Sequence, residues 1–127
     1  MDNNKKGLYF VPLGGADEIG MNMYAYCRHE KWIVLDAGYG FLGDEYPMMD
    51  MCYASPDFLR DFKDDIEGLF ITHAHEDHMG AIAHIWPALN CPVYATPFAT
   101  ALMKERVEEY QLTDAVDFHV VHSGDVI

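Results

Sequence analysis

The chain has 127 residues, of which 50% are hydrophobic, 23% charged and 13% aromatic, which is the composition of a folded globular domain. It excludes a disordered, collagen-like or coiled-coil chain, and the length favours one hydrophobic core over two independent domains. The formal net charge is -13, so a basic nucleic-acid surface is absent from the sequence. A phosphate polyanion could bind only where metal ions or another part of the molecule supplied positive potential.

Membrane and export signals are missing from the sequence. No window contains about 18 consecutive apolar residues, and the first residues show neither a long apolar segment nor a small-residue cleavage site. The three cysteines are odd in number and form no CxxC pair, which argues against a disulfide framework and against a cysteine zinc knuckle. We therefore expect a protein without membrane contact, in the reducing cytoplasm.

The first third of the chain predicts a three-stranded meander in one sheet. Strand-forming residues fill 7–13, 21–29 and 31–35, with turn residues after the first strand and Asp36 directly after the third. The acidic residues 41–67 then predict an extended loop and a short helix. That helix should begin near Pro56, with Ser55 as its cap. Three methionines of the loop are interpreted as gap-filling core residues or loop anchors: Met48, Met49 and Met51.

The second half of the chain predicts strands that alternate with helices. We expect strands at 68–72, 92–95 and 117–121, and helices at 79–89 and 97–110. Strands joined through helices, after a meander, indicate a mixed α/β (α+β) sandwich.

Helix ends and the end of the chain give further expectations. Pro87 should limit or kink the first of these helices, whereas the second should have Thr96 as its cap and Pro97 in its first turn. The candidate core residues of the second helix are Phe98, Leu102 and Val107. Residues 124–127 predict a turn and the opening of another strand, so the chain is expected to end abruptly, within a domain.

Residues 72–78, Thr-His-Ala-His-Glu-Asp-His, hold the strongest functional signal. They follow a predicted buried strand and precede a helix, which places them where open α/β sheets commonly bind ligands. His73 and His75 can offer two imidazoles to one cation, and Asp77 and His78 a carboxylate and an imidazole to a second. Imidazole with carboxylate suits zinc, manganese or iron, and two ions about 3.5–4 Å apart support hydrolase chemistry on a phosphate or carbonyl.

Ligands of this kind need hydrogen-bond acceptors that fix their tautomers, and Asp36 and Thr72 are the candidates. Two other interpretations stay open for the block: a surface loop in which histidines cluster by chance, and a purely structural metal site. The remaining histidines are interpreted as surface or hydrogen-bonded residues rather than ligands: His29, His84, His119 and His122.

The block from His73 to His78 resembles the HxHxDH motif of the metallo-β-lactamase superfamily, and Asp36 in Leu35-Asp36-Ala37-Gly38 resembles that superfamily's first motif. Further stretches resemble the amino-terminal end of the ribonuclease J family, which is of the β-CASP type. They are Leu13-Gly14-Gly15, Glu18-Ile19-Gly20 with Asn22, the run from Thr72 to Ile82, and the run from Cys91 to Leu102.

The resemblance implies an αββα sandwich with two divalent metal ions, usually zinc, with manganese or magnesium as alternatives. It implies RNA, and not DNA, as substrate, cut endonucleolytically and trimmed from 5′ to 3′. His73 and His75 would bind one metal and Asp77 and His78 the other, while Asp36 would support the loop. Asp77 would also orient the attacking hydroxide, as the catalytic residue.

The family's later ligand motifs, its β-CASP domain and its carboxyl-terminal region have no counterpart before Ile127. We therefore expect residues 1–127 to be the amino-terminal part of a metallo-β-lactamase domain, inactive or nearly so by itself. Two other functions stay open: a hydrolase of the same fold that acts on a small ester, thioester or lactam, and a non-catalytic remnant that binds a partner. An unfinished sheet edge makes self-association an expectation as well.

Overall fold

The structure is a computed structural model that describes residues 7–127. Its strands are β1 Leu8–Gly14, β2 Met23–Arg28, β3 Lys31–Leu35, β4 Tyr39–Phe41, β5 Met51–Tyr53, β6 Ile66–Phe70, β7 Val93–Ala95 and β8 Phe118–Val120. Its α-helices are α1 Asp57–Arg60, α2 Glu76–Met79, α3 Ile82–Leu89 and α4 Pro97–Glu108, and a 3-10 turn spans Lys63–Asp65.

Six strands form the main sheet in the order β1-β2-β3-β6-β7-β8. β1, β2 and β3 pair antiparallel, which confirms the predicted meander. β3, β6, β7 and β8 pair parallel, because helices or long connections carry the chain from each strand to the next. The mixed α/β class is confirmed, and residues 7–127 contain one large sheet rather than both sheets of a sandwich.

The core lies on one face of this sheet. Val34, Leu69 and Val93 are fully buried there, together with Ile85 of α3 and Met103 of α4. The alternation of side chains along each strand sends the neighbouring residues to the opposite face. We call this opposite face the outer face. The strand register aligns six residues across it: Phe10, Tyr24, Tyr26, Ile33, Phe70 and Tyr94.

The acidic segment contains a hairpin that the sequence did not predict. β4 and β5 pair antiparallel, with Gly40 opposite Cys52. Both strands have only three residues, too few to show an alternating pattern. Of the two interpretations of Met48, Met49 and Met51, that of gap-filling core residues is wrong, because they are 94%, 61% and 49% exposed, and that of loop anchors stays a prediction.

The helix predicted at 79–89 is two helices. α2 begins at Glu76, inside the histidine block, and α3 begins at Ile82 after a break. Pro87 lies within α3 and does not end it. The strand before them begins two residues earlier than predicted, at Ile66.

Details at three further termini differ from the expectations. Pro56 occupies the N-cap position of α1, and Ser55 Oγ accepts a hydrogen bond from the amide of Asp57 at 3.3 Å. Thr96 is at the N-cap of α4 without a side-chain capping bond, and Phe98 is 70% exposed rather than part of the core. Residues 124–127 form no strand, and the Asp125 amide closes a turn by donating to the carbonyl of His122 at 3.0 Å.

None of the described helices has the length and apolar character that a membrane span requires.

Candidate metal centre

Two neighbouring parallel strands bring the candidate residues together. Asp36 directly follows β3, and Thr72 and His73 follow β6 after one further residue. The amide of Asp36 donates to the carbonyl of Phe70 at 2.9 Å, which continues the ladder between β3 and β6 to the point where the loops begin. Since the carboxyl ends of parallel strands meet at one edge of a sheet, both segments lie side by side.

Asp36 is the centre of a hydrogen-bond network. Its side chain is 4% exposed and accepts bonds from the Thr72 amide at 2.8 Å and from Nδ1 of His78 at 2.7 Å. The Thr72 hydroxyl lies 3.0 Å from both carboxylate oxygens. Asp36 adopts a φ of +64°, a left-handed conformation that Asp tolerates better than most residues.

This network fixes the tautomers of two histidines. A carboxylate only accepts, so in the neutral imidazole of His78 the proton lies on Nδ1 and Nε2 keeps its lone pair. The Thr72 hydroxyl proton likewise goes to Asp36, so the Thr72 oxygen accepts from Nδ1 of His73 at 3.0 Å. Both imidazoles therefore present an unprotonated Nε2, which is the form that binds a metal ion.

In the structure the side chains of the four predicted ligands lie near one another. The ring centroid of His73 is 4.6 Å from that of His75 and 4.0 Å from that of His78, and Asp77 Oδ2 is 3.5 Å from Nε2 of His78. Within residues 7–127, however, no three His, Cys, Asp or Glu side chains converge as closely as the ligands of one metal ion do. Three imidazoles and a carboxylate are a donor set that fits divalent metals of the zinc type.

Two residues that sequence reasoning did not assign to the site hold the backbone of Asp77. The amide and the side-chain Nδ2 of Asn22 both donate to the Asp77 carbonyl, at 3.1 and 3.0 Å, and Asn22 Oδ1 accepts from the hydroxyl of Tyr24 at 2.9 Å. Gly38 packs so closely that a Cβ there would overlap this carbonyl. Neither contact follows from sequence spacing, because both join segments that are far apart in the chain.

The other histidines lie away from the network. His84 stacks on Tyr53 with a centroid distance of 5.2 Å, and His119 bonds Asp117 through Nε2 at 2.8 Å. His29 and His122 are exposed. Their positions agree with the prediction that they are surface or hydrogen-bonded residues.

Comparison with known proteins identifies the family. The profile described as Metallo-beta-lactamase superfamily matches residues 17–126, most of the chain. The chain belongs to the metallo-β-lactamase superfamily. Membership implies divalent metal ions as the cofactor class.

Curated members of this superfamily that resemble the chain are named ribonuclease J. Ribonuclease J of Sinorhizobium meliloti is 40% identical over 94% of the chain, and ribonuclease J of Helicobacter pylori is 37% identical over 87%. Ribonuclease J 2 of Staphylococcus aureus is 31% identical over 96%. The chain spans only 22%, 16% and 22% of these three relatives, respectively.

Solved structures with the same fold are more distant. Zinc-bound PqqB from Methylobacterium extorquens has a TM-score of 0.53 and 17% identity, over 84% of this chain and 37% of its own. An N-acyl homoserine lactone hydrolase has a TM-score of 0.54 and 18% identity, over 96% of this chain and 62% of its own. At these identities the likeness shows the metallo-β-lactamase fold and nothing finer.

Proposed function

We propose that this chain supplies the HxHxDH ligand motif of a metal-dependent ribonuclease of the ribonuclease J type, as the amino-terminal part of its metallo-β-lactamase domain. The observation that carries the proposal is the histidine block braced by Asp36, in a chain that is 40% identical to ribonuclease J of Sinorhizobium meliloti over 94% of its length. The relatives' names give RNA as the substrate. Likeness to the lactone hydrolase rests on fold alone, so it does not favour a small ester, thioester or lactam.

Each residue of the block has a proposed role. His73 and His75 would hold one divalent ion and Asp77 and His78 a second, with zinc favoured by the imidazole donors. Bound metal ions would supply an activated water and positive charge against the phosphate. Asp36 and Thr72 keep the two imidazoles in the tautomer that binds metal. Asp77 would orient the attacking oxygen, which makes it the proposed catalytic residue.

The acidic composition means that RNA binding needs a source of positive charge. A formal charge of -13 repels a polyanion at long range, so positive potential must come from bound ions or from another part of the enzyme. The chain by itself is therefore expected to bind RNA weakly and to cleave it poorly, and DNA and membranes are not proposed as partners.

We also propose a cytoplasmic location, supported by three cysteines that are all free: Cys27, Cys52 and Cys91.

Metal content tests the ligand assignment directly. The purified chain is dialysed against zinc and then against metal-free buffer, and zinc per chain is compared with that of the double variant His73→Ala/Asp77→Ala. The matched control is Asp117→Ala/His119→Ala, which removes another neighbouring His–Asp pair, remote from the block. We expect zinc in the wild type and the control and its loss in the block variant. Equal zinc in all three chains would show that these residues are not the ligands.

A chimera tests the substrate. The equivalent segment of Sinorhizobium meliloti ribonuclease J is replaced by this chain, and the hybrid is assayed with 5′-monophosphorylated RNA and with small esters. We expect metal-dependent RNA cleavage that Asp77→Ala abolishes. A metal-loaded hybrid that hydrolyses esters but leaves RNA intact would favour the small-substrate hydrolase instead.

Self-association is proposed through the open edges of the main sheet. β1 and β8 are its outermost strands, and an unpaired strand edge is a template for pairing with a second chain. Light scattering over a concentration series decides this point, because a chain that stays monomeric at high concentration excludes it.

A further inference from the structure

One arginine outside every recognised motif contacts both ends of α2. Arg106 lies in α4, 30 residues after the start of α2. Its Nη1 donates to Glu76 Oε2 and to the carbonyl of Gly80, both at 3.0 Å, and its Nη2 donates to Glu76 Oε1. Glu76 is the first residue of α2, and Gly80 directly follows its last. A single guanidinium therefore spans the whole helix, with a two-pronged geometry that lysine cannot reproduce.

α2 needs such a support because it has only four residues. An isolated helical turn is unstable, since one hydrogen bond does not compensate for the ordering of its backbone. The two residues in the middle of α2 are Asp77 and His78, the proposed ligands of one metal ion. Any drift of this turn would displace both of them together.

The opposite side of the turn is already fixed. Asn22 donates two hydrogen bonds to the Asp77 carbonyl, and the amide of Ala37 donates to the His78 carbonyl at 2.8 Å. Those contacts hold the carbonyls in the middle of α2, whereas Arg106 holds its two ends. The turn is thus fixed on one side by Asn22, just before β2, and Ala37, just after β3, and on the other side by α4.

The surroundings of the ion pair fit this role. A Cβ on Gly80 would overlap the Glu76 carboxylate and meet Tyr39 Cδ2, so the glycine leaves the space that the ion pair fills. Arg106 is only 25% exposed, in contrast to the exposed pair of Arg60 and Asp57 in α1. The hydrogen bond to Glu76 is the main cause that raises the pKa of Arg106, so the guanidinium stays charged.

We propose that Arg106 is a positioning residue for the metal centre, which holds α2 so that Asp77 and His78 keep the orientation needed to bind metal. The inference rests on the proposed metal binding of the block, and Arg106 itself would touch neither metal nor substrate. It adds α4 to the elements on which the centre depends.

Hydrogen exchange of backbone amides tests the positioning without any metal. The amides of His78, Met79 and Gly80 close α2, and those of Leu69 and Ile71 report on the sheet. Arg106→Gln should speed exchange in α2 about tenfold or more while the sheet amides stay as in the wild type, because local opening differs from global unfolding. Arg60→Gln, which removes the exposed arginine of α1, is the matched control and should change neither group.

A cobalt titration adds a readout that a purely structural ion pair would not change. Visible absorption of Co²⁺ reports on ligand number and geometry, and Arg106→Gln should weaken Co²⁺ binding about tenfold at an unchanged folded fraction, as outer contacts of metal ligands do. Arg106→Lys should fall between wild type and Arg106→Gln. The double variant with Glu76→Gln should be no worse than Arg106→Gln alone, because both changes remove one shared contact.

The outcomes separate the two proposals. If the wild type binds no Co²⁺, the proposed metal function fails for this chain, and the exchange data still show whether Arg106 holds α2. If the wild type binds Co²⁺ and Arg106→Gln binds it equally well, the positioning role is overturned while the metal function stands. Acceleration of exchange throughout the chain, or equal behaviour of Arg106→Gln and Arg60→Gln, also overturns it.

Discussion

Gly38 marks the closest approach between the loop after β3 and the histidine block. Its amide donates to the carbonyl of Asn22 at 3.0 Å, and its Cα faces the carbonyl of Asp77, with no room for a side chain between them. The neighbouring residue, Ala37, bonds His78 and Ala81 through its amide and carbonyl. Backbone contacts thus place the two segments, and the side chains of the site follow.

Gly38→Ala should destabilise the fold, because the new methyl group must push the Asp77 backbone away. Overpacking of this kind typically costs about 1–3 kcal/mol. Urea unfolding followed by tryptophan fluorescence measures the change. Gly43→Ala is the control, since a Cβ there meets nothing within 4 Å, and it should leave the midpoint almost unchanged. Equal midpoints for the two variants would contradict the close approach.

Cys91 gives a pH dependence whose sign can be worked out. Burial raises the pKa of its thiol from 9.0 to about 12, so the folded chain keeps the thiol neutral where the unfolded chain ionises it. The stability that depends on this thiol is therefore present below pH 9 and is lost as the pH rises from 9 towards 12. Above pH 9 the loss should approach about 1.4 kcal/mol per pH unit.

The measurement compares urea unfolding of the wild type and Cys91→Ala between pH 7 and 10.5, in reducing buffer. Other groups titrate in both chains, so only the difference between them reports on the thiol. That difference should be constant up to pH 8 and should shrink at higher pH. A difference that stays constant up to pH 10.5 would contradict the raised pKa.

At the residue scale the sequence identified adjacent candidate ligands but not the distant residues that support them. His73, His75, Asp77 and His78 were identified because they are adjacent in the chain, and the contacts of Asp36 with Thr72 and His78 agree with its expected place. Their roles as ligands stay predictions. Asn22, Gly38 and Arg106 act through contacts with distant segments, which no local pattern indicates.

Among the elements, six strands of the main sheet, α1 and α4 were predicted, whereas the hairpin of β4 and β5 and the separate helix α2 were not. The three strands of the meander match the expectations within a few residues because strand-forming residues fill them, and α4 matches because Thr96 and Pro97 mark its start. β4 and β5 were missed, and α2 was merged with α3. α2 has only four residues, too few to show a helical pattern in the sequence, and tertiary contacts hold it in place.

The N-terminus of α4 offers a test of capping. Thr96 is at the N-cap but makes no side-chain hydrogen bond to the first turn, so Thr96→Ala should cost less than about 0.5 kcal/mol, below the typical value of about 1 for a lost cap. Chemical denaturation of the two chains measures the difference. Ser55→Ala, which removes the bond to the Asp57 amide, is the comparison. A loss of 1 kcal/mol or more in Thr96→Ala would show that the hydroxyl caps the helix.

The whole molecule has two unlike faces. One side of the main sheet is buried under α3 and α4, whereas apolar side chains on the outer face remain partly exposed, with Phe10 at 51% and Ile33 at 38%. The ring centroid of Phe10 lies 5.1 Å from that of Tyr26, and the partly buried Phe70 stacks on Tyr94 at 4.8 Å, so the rings of this face form neighbouring groups. Apolar side chains exposed in neighbouring groups offer a surface to apolar ligands.

Residues 7–127 should therefore bind the apolar dye anilinonaphthalene sulfonate in the folded state. Phe10→Gln should reduce the dye fluorescence, because it breaks the aromatic group around Tyr26. Phe98→Gln removes a phenylalanine that is more exposed, at 70%, but lies on α4 away from the outer face, and it should have little effect. Equal loss of fluorescence in both variants would show that the dye does not select the outer face.

The pairing of β3 with β6 has a consequence for the order of folding. Asp36 and the histidine block reach each other only after these strands have paired in parallel, across an intervening segment that contains β4, β5 and α1. Non-local pairing of this kind forms slowly. A metal ion therefore meets ligands braced by Asp36 only late, so it would act by slowing the unfolding of the finished chain and not by speeding its folding.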